Sequence, residues 1–297
     1  MTLEQLAIFV AVAEREHITR AAEAINMTPS AVSSAIKALE TSHGIRLFER
    51  VGRGIELSGV GQAFLPEARR TLSAARQAAG LLDDLGGLRA GHISIHASQT
   101  IANYWLPPRM LGFAKRYSGI SIAFEAGNTK SVAKAVLEGD AEIGFIEGSI
   151  DEPALDPTHV YSDELVAVVS KSTHTLPANP TALDAYRWIV REKGSGTRTE
   201  FEHGLGAIGL TVADFDVALT LPTNEAVLNA VLNSSSAAAL SRLVVAPFLA
   251  SGQLRLLDVT LPPRHFTMLH HKERRLSAAA KAFKQICVAP ELASRAR

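Results

Sequence analysis

Residues 19–41 carry the pattern that most restricts what this chain can fold into: a short alanine-rich helix, a break, and a second helix with a strong start signal. Thr19 offers an N-cap hydroxyl to Arg20-Ala21-Ala22-Glu23-Ala24-Ile25, whose small side chains permit close helix packing, and Asn26-Met27 ends the segment. Thr28 followed by Pro29 starts the next helix, because the threonine oxygen can accept an orphan N–H and proline needs no donor at the first helical position. From Pro29 to Thr41 the sequence has two faces. Ala31, Val32, Ala35, Ile36 and Leu39 are expected to pack inward; Ser30, Ser33, Ser34 and Lys37 point outward. A short helix, a tight turn and a capped second helix make a helix-turn-helix, whose second helix lies in the major groove of DNA.

The flanks extend that reading. Leu3, Leu6, Ala7, Phe9, Val10 and Ala13 recur at helical spacing, so an amphipathic helix precedes the motif. After Leu47-Phe48, the stretch Glu49 to Leu57 reads as two short strands around a glycine turn, a wing with Arg50 and Arg53 placed to touch the DNA backbone or minor groove. Thr28, Ser30, Ser33, Ser34, Lys37, Arg50 and Arg53 are therefore the candidate DNA contacts. Serine hydroxyls can donate or accept at base edges, and lysine reaches phosphate or guanine. The same serines on an isolated helix would be an ordinary solvated face. The whole chain has 30 Lys+Arg against 30 Asp+Glu, which decides nothing, but Lys37, Arg46, Arg50, Arg53, Arg69, Arg70 and Arg76 outnumber Glu40, Glu49, Glu56 and Glu67 between Thr28 and Arg76.

Ser58 can cap a further helix running from Gly59 to about Leu85. Along it Phe64, Ala68, Leu72, Ala75, Ala79 and Leu82 fall at steps of three and four, a coiled-coil seam. The seam predicts either burial against its own domain or pairing with a second copy, which would give two recognition helices for two half-sites. Gly86-Gly87 marks a hinge.

From His92 onward strands and helices alternate. His92–Ala97, Ile120–Ala126 and Ala141–Ile146 read as strands, Ile101–Tyr117 and Thr129–Leu137 as helices, and a second set runs from Glu164 to Leu240. The alternation predicts parallel sheet with helices on both faces, and ligands in such sheets bind beyond the carboxyl ends of strands. Three polar clusters fall there: Ser98-Gln99-Thr100, Gly127-Asn128-Thr129 and Gly194-Ser195-Gly196-Thr197-Arg198. Each alone could be a helix cap or a turn; together they predict a site on one sheet edge.

At 297 residues with 47% apolar and 20% charged side chains, the chain is expected to fold throughout as two or three domains. No signal-like leader or bilayer-spanning run is read, so a soluble cytoplasmic protein with no membrane role is expected. Cys287 is the single cysteine, expected to be a buried, inert thiol, and His270-His271 has no partner at metal-ligand spacing. No cofactor, metal or catalytic residue is predicted. Ser195 lacks a nucleophile-elbow setting, and no phosphate-binding or dinucleotide fingerprint occurs.

Leu6-Ala7-Ile8-Phe9-Val10-Ala11-Val12-Ala13-Glu14, Ala21-Ala22-Glu23-Ala24, Ser30 to Glu40, and Gly44-Ile45-Arg46-Leu47-Phe48-Glu49-Arg50 resemble, in order and spacing, the N-terminal signature of LysR-type transcription regulators. Ser34 departs from it, since many members carry arginine or another long polar residue there. The resemblance implies an all-α winged helix-turn-helix over 1–58, a linker and dimerisation helix over 59–88, and an α/β effector-binding domain over 92–297. That last domain would have the periplasmic-binding-protein-like fold, two subdomains with the chain crossing near 162 and 265. It also implies operator DNA, a homodimer through the linker helix and a homotetramer as partners. By the same resemblance Ser98 and Thr100 line the effector cleft, with Asn128 beside it and Glu147, Ser195 and Thr197 on the opposite walls. The hydroxyls and helix N-termini suit a small anionic metabolite. Ile101 to Pro107 with Gly127-Asn128-Thr129 resembles regulators linked to sulfur oxyanions. Leu232 to Ala237 departs from the family, which has glycines near there, so no ligand contact is carried onto those serines. Two other readings remain at this point: an α/β small-molecule-binding protein or enzyme without a regulatory role, and a transport-type solute receptor sharing the cleft fold.

Overall fold

The computed structural model describes residues 1–52, 54–85, 91–172 and 183–288, with residues 83–85 through their backbone alone. The chain divides into two compact units, Met1–Leu82 with Glu138–Asp140, and Asp83–Leu137 with Ala141–Arg297. The hinge glycines Gly86-Gly87 lie outside the described residues.

In the first unit α1 (Leu3–Arg15) opens on a reciprocal cap: Gln5 N donates to the Thr2 hydroxyl and Thr2 N to the Gln5 side chain. Its burial is broader than the predicted stripe. Ile8, Ala11 and Val12 are buried with Leu6, Phe9, Val10 and Ala13, while Leu3 and Ala7 are exposed. Phe9 is enclosed by Phe48 and Phe64, with ring centroids at 5.6 and 5.1 Å. Next, α2 (Ile18–Ala24) is capped by His17 rather than Thr19, the imidazole accepting from Arg20 N at 3.4 Å. Left-handed Glu16 (φ 45) ends α1 so sharply that extended His17 already occupies the cap position.

Asn26 (φ 53), a residue type that tolerates the left-handed region, turns the chain into α3 (Pro29–His43). Here the predicted cap is present: Ala31 N donates to the Thr28 hydroxyl at 3.2 Å. Left-handed Gly44 (φ 65) closes the helix. The Glu40 carboxylate accepts from Leu47 N at 2.7 Å and Phe48 N at 3.2 Å, which fixes where the wing begins. That wing is β1 (Phe48–Val51) antiparallel to β2 (Gly54–Leu57), with Gly52 at φ 58 in the turn.

Ser58 caps α4 (Gly59–Leu85) by accepting from Gly61 N at 3.0 Å while donating to Arg46 O at 2.7 Å. The seam divides its work. Phe64, Ala68 and Leu72 join the helical core, whereas Leu82 is 71% exposed. Helix α4 presses on the wing so closely that a Cβ on Gly61 would lie 2.2 Å from Leu47 O. Gly61→Ala is therefore expected to cost about 1–3 kcal/mol, seen as a lower urea midpoint with unchanged slope. A midpoint equal to wild type would refute that packing argument.

The second unit holds two five-stranded mixed sheets, not sheets that are wholly parallel. In one, β3 (Gly91–Ser98) runs parallel to β4 (Ile120–Gly127) and β5 (Ile143–Glu147), and β12 (Arg264–His271) lies antiparallel between β5 and β6 (Leu155–Asp163). In the other, β8 (Arg187–Arg191) runs parallel to β9 (Asp216–Leu221) and β10 (Ala237–Ser241). There β7 (Leu165–Ser170) is antiparallel to β10 and to β11 (Leu254–Leu256). Strands β6, β11 and β12 were not foreseen; β6 and β12 are reached through loops instead of helical crossovers and so can return antiparallel, while β11 follows α9 and pairs antiparallel with β7. The chain passes to the second sheet between Asp163 and Leu165 and back between Leu256 and Arg264.

Helical backbone starts at Gln99 and widens into a π-turn over Ile101–Trp105 before continuing as α5 (Leu106–Arg116). The remaining helices are α6 (Thr129–Glu138), α7 (Gly196–Ala207), α8 (Asn224–Leu232), α9 (Arg242–Ala250) and α10 (Ala278–Val288). Trp105 anchors one core against Phe145, Tyr161 and Phe266, and Trp188 anchors the other against Phe201 and Phe215. Cys287 is buried, and burial pushes its thiol up to about 12, which keeps it protonated and unreactive. Among the described residues no helix is long and apolar enough to cross a membrane.

Candidate functional site

The first unit presents α3 as a helix with one dry and one wet side. Val32, Ile36 and Leu39 are buried, while Ser30, Ser33, Ser34 and Lys37 are all exposed. Thr28, also exposed, spends its hydroxyl on the cap and on Ser30 Oγ at 3.1 Å. Arg50 is exposed on β1; Arg53 lies outside the described residues. Ser30, Ser33, Ser34 and Lys37 form a polar face along the first part of a helix whose orientation is fixed by its cap, its core residues and Glu40.

In the second unit four helix N-termini meet between the two sheets. Asn224 at the start of α8 donates from Nδ2 to the Thr100 hydroxyl at 3.0 Å, and its backbone N donates to Gln99 Oε1 at 3.1 Å. At the start of α6, Lys130 N donates to Gly194 O at 3.3 Å, and Asn128 Nδ2 donates to Glu192 Oε1 at 3.3 Å. The start of α7 comes so close that a Cβ on Gly196 would stand 2.5 Å from Thr129 Oγ1 and 2.8 Å from Glu147 O. Helix N-termini carry free N–H groups and partial positive charge, so four together favour a negative occupant.

Arg264 ties this arrangement together from below. It is 1% exposed and donates to Asp163 at 2.7 Å, to Thr197 Oγ1 at 3.0 Å and to Thr100 Oγ1 at 3.4 Å. Asp163 accepts in addition from Ser241 Oγ at 2.9 Å, and Arg191 donates to Asn224 Oδ1. Both Asp163 and Arg264 stand where the chain crosses between sheets, so the ion pair joins the two crossings. Further out, Asn103 Nδ2 and the Tyr104 hydroxyl donate to Glu225 at 3.0 and 3.4 Å. Burial, with the Glu225 carboxylate beside it, pushes the Tyr104 phenol up, so it stays a donor.

All six cleft residues expected from the sequence are in this region, but their arrangement differs from the expectation. The polar clusters belong to two facing sheets, not to one edge. Glu147 ends β5, in the same sheet as Ser98, so it does not stand opposite Ser98. Ser98, Thr100, Glu147, Ser195 and Thr197 are buried; Asn128 is half-buried and caps α6. Sequence reasoning missed Asp163, Arg191, Asn224 and Arg264. The available signal was charge out of place: Arg191 closes an apolar strand, and Arg264 opens one after Pro262-Pro263. His270 and His271 lie at the end of β12, and burial lowers both imidazoles, as expected of packed neutral side chains. Among the described residues no cluster of three or more His, Cys, Asp or Glu could hold a metal ion.

Comparison with known proteins matches two family models. Residues 3–62 match the bacterial regulatory helix-turn-helix protein, lysR family, and residues 86–289 the LysR substrate binding domain. The chain is 33% identical over 293 residues to the uncharacterized HTH-type transcriptional regulator YeiE of Escherichia coli, covering 97% of each chain. It is 30% identical to the HTH-type transcriptional activator CmpR of Synechocystis sp., covering 95% of this chain and 93% of that one. Among solved structures, full-length CbnR complexed with its target DNA superposes with a TM-score of 0.66 at 20% identity, over 97% of this chain and 99% of that one.

Proposed function

Because this chain belongs to the LysR family of bacterial transcription regulators, we propose that it reads operator DNA with α3 and adjusts that binding to a small anionic metabolite held between the two sheets of its second unit. It is a DNA-binding regulator and not an enzyme. The observation that carries the DNA contacts is the wet face of α3, where Ser30, Ser33, Ser34 and Lys37 are exposed above a buried Val32, Ile36 and Leu39. Thr28 sets the helix start against the groove, and Arg50 and Arg53 of the wing meet the DNA backbone.

Self-association follows from the surfaces left uncovered. Leu81 and Leu82 are 43% and 71% exposed on α4, and a second copy of α4 would bury them. Edge strands β4 and β9 expose Phe124 and Leu219 and suit pairing of effector domains over 92–297, which would raise the dimer to a tetramer. Its place of action is the cytoplasm, where the operator is. The effector reading rests on four helix N-termini and the hydroxyls of Ser98, Thr100, Ser195 and Thr197, with Asn128 and Glu147 at the same place. A sulfur oxyanion is of the right size and charge.

The test is fluorescence anisotropy of the full chain on DNA from upstream of its own gene and on a scrambled duplex, over a salt series. Tight binding to the native fragment alone is expected. Lys37→Ala should weaken it and flatten the plot of log affinity against log salt by about two units, one for each protomer. An unchanged slope would remove Lys37 from the phosphate contacts, and equal weak binding to both duplexes would remove the operator reading.

A further inference from the structure

We propose that the cleft selects a small oxyanion that carries its own proton and rejects one that carries none; this rests on the reading of the cleft as an anion site. Two neighbouring buried groups point to it. Ser98 ends β3 and Glu147 ends β5, strands paired through Ala97 and Phe145. Ser98 is 1% exposed, and among the described residues its hydroxyl has no hydrogen-bond partner. Glu147 is 3% exposed, and the one hydrogen bond its carboxylate accepts among the described residues is from Thr129 Oγ1 at 3.4 Å. A buried carboxylate with a single long donor is under-satisfied, and so is a buried hydroxyl with no partner.

The surroundings do not supply what Glu147 lacks. The elements packed around it carry Arg264 on β12, Asp163 on β6, Arg198, Glu200 and Glu202 on α7, and Lys130, Lys134 and Glu138 on α6; Arg198 donates to Glu202 and to Arg191 O, and Glu138 pairs with Arg69. The donors of Arg264 go to Asp163, Thr197 and Thr100. Glu200 is another acid, its carboxylate so near Gly148 that a Cβ there would lie 2.2 Å from Oε1. Lys130 meets the opposite sheet through its backbone N, and no hydrogen bond or ion pair joins its ammonium to Glu147.

An occupant must therefore satisfy two demands at once. It must be negative enough to use four helix N-termini, and it must present a hydrogen to the Glu147 carboxylate. A fully deprotonated tetrahedral dianion meets the first and fails the second, because it would set lone pair against lone pair in a buried site. A monoprotonated oxyanion meets both, with its O–H toward Glu147 and its remaining oxygens toward the Ser98 hydroxyl and the backbone N–H groups. The tight approach of Gly196 to Thr129 and Glu147 keeps the occupant small.

The experiment is isothermal titration of the full-length protein with sulfate, sulfite and phosphate between about pH 6 and pH 8, where sulfate has no proton while the other two are partly protonated. Sulfite or phosphate is expected to bind at least about a hundredfold more tightly than sulfate, as expected when one partner lacks a hydrogen the site is built to receive. Their affinity should fall as pH rises, approaching tenfold per unit once the free anion has lost its proton. Glu147→Gln supplies a donor without changing size; it should gain sulfate binding and lose most of the pH dependence. The wild-type pH profile tests the idea even if that variant folds poorly. Equal affinity for sulfate, or selectivity unchanged in Glu147→Gln, overturns the proton requirement and leaves the anion site standing. No binding of any of the three anions to either protein overturns the anion site and the proton requirement together.

Discussion

Replacing Arg264 with methionine is expected to destabilise the second unit by about 3–5 kcal/mol, the cost of leaving one partner of a buried ion pair without the other. Both side chains are almost completely excluded from water, at 0% and 2% exposure, and the guanidinium spends its donors on three residues from three segments. Removing it strands the Asp163 carboxylate with only Ser241 to donate, and costs Thr100 and Thr197 a donor each. For a unit of this size the loss should lower the melting temperature by on the order of 10 °C in calorimetry. Asp163→Asn should be nearly as harmful. Replacing both residues together by apolar side chains should recover most of the loss, since the paired charges gain little over a well-packed apolar pair. A single variant that melts like wild type would mean that the pair is solvated and does not join the crossings.

Ser33→Glu is expected to abolish operator recognition while leaving the fold intact. Ser33 is exposed, and among the described residues its hydroxyl makes no hydrogen bond that holds α3 in place, so thermal stability should change little. On DNA the new carboxylate would face phosphates and base-edge acceptors. Losing a base contact costs about 1–3 kcal/mol, and the dimer suffers it at both half-sites, so operator affinity should fall at least about a hundredfold. Anisotropy on the native fragment, alongside circular dichroism melts, separates the two effects. Undiminished binding would place the recognition surface elsewhere on the first unit.

The DNA-binding half was legible because its signals are local. Thr28, Pro29 and Gly44 each act within a turn of their own position, and the three-four spacing of Val32, Ile36 and Leu39 needs no distant partner. The cap misread as Thr19 fails for a tertiary reason, since left-handed Glu16, which also accepts from Leu57 N, decides where α2 can start. The second unit was legible strand by strand but not in its sheet order, because nothing local tells β12 to lie between β5 and β6, more than a hundred residues earlier. The same distance hid Arg264 and Asn224. Their meaning lies in partners at Thr100, Thr197 and Asp163, contacts that exist only after both sheets have formed. Ser98 could be named from its place after a strand and Glu147 only through the family resemblance, but that both are short of partners is visible only in three dimensions.

The π-turn at Ile101–Trp105 makes the length of this segment a matter of angle. A widened turn already holds one more residue than regular helix over nearly the same angle, so this element can lose a residue by tightening into regular helix but has no slack to take one more. An inserted residue would rotate everything upstream by about 100° relative to everything downstream. With Trp105 held by Phe145, Tyr161 and Phe266, the rotation would fall on Gln99 and Thr100 and swing them away from Asn224 and Arg264. A single-codon insertion in this stretch would thus keep the hydrophobic anchor and disconnect the sensor, a mutational route to a regulator that still binds its operator and no longer hears its signal.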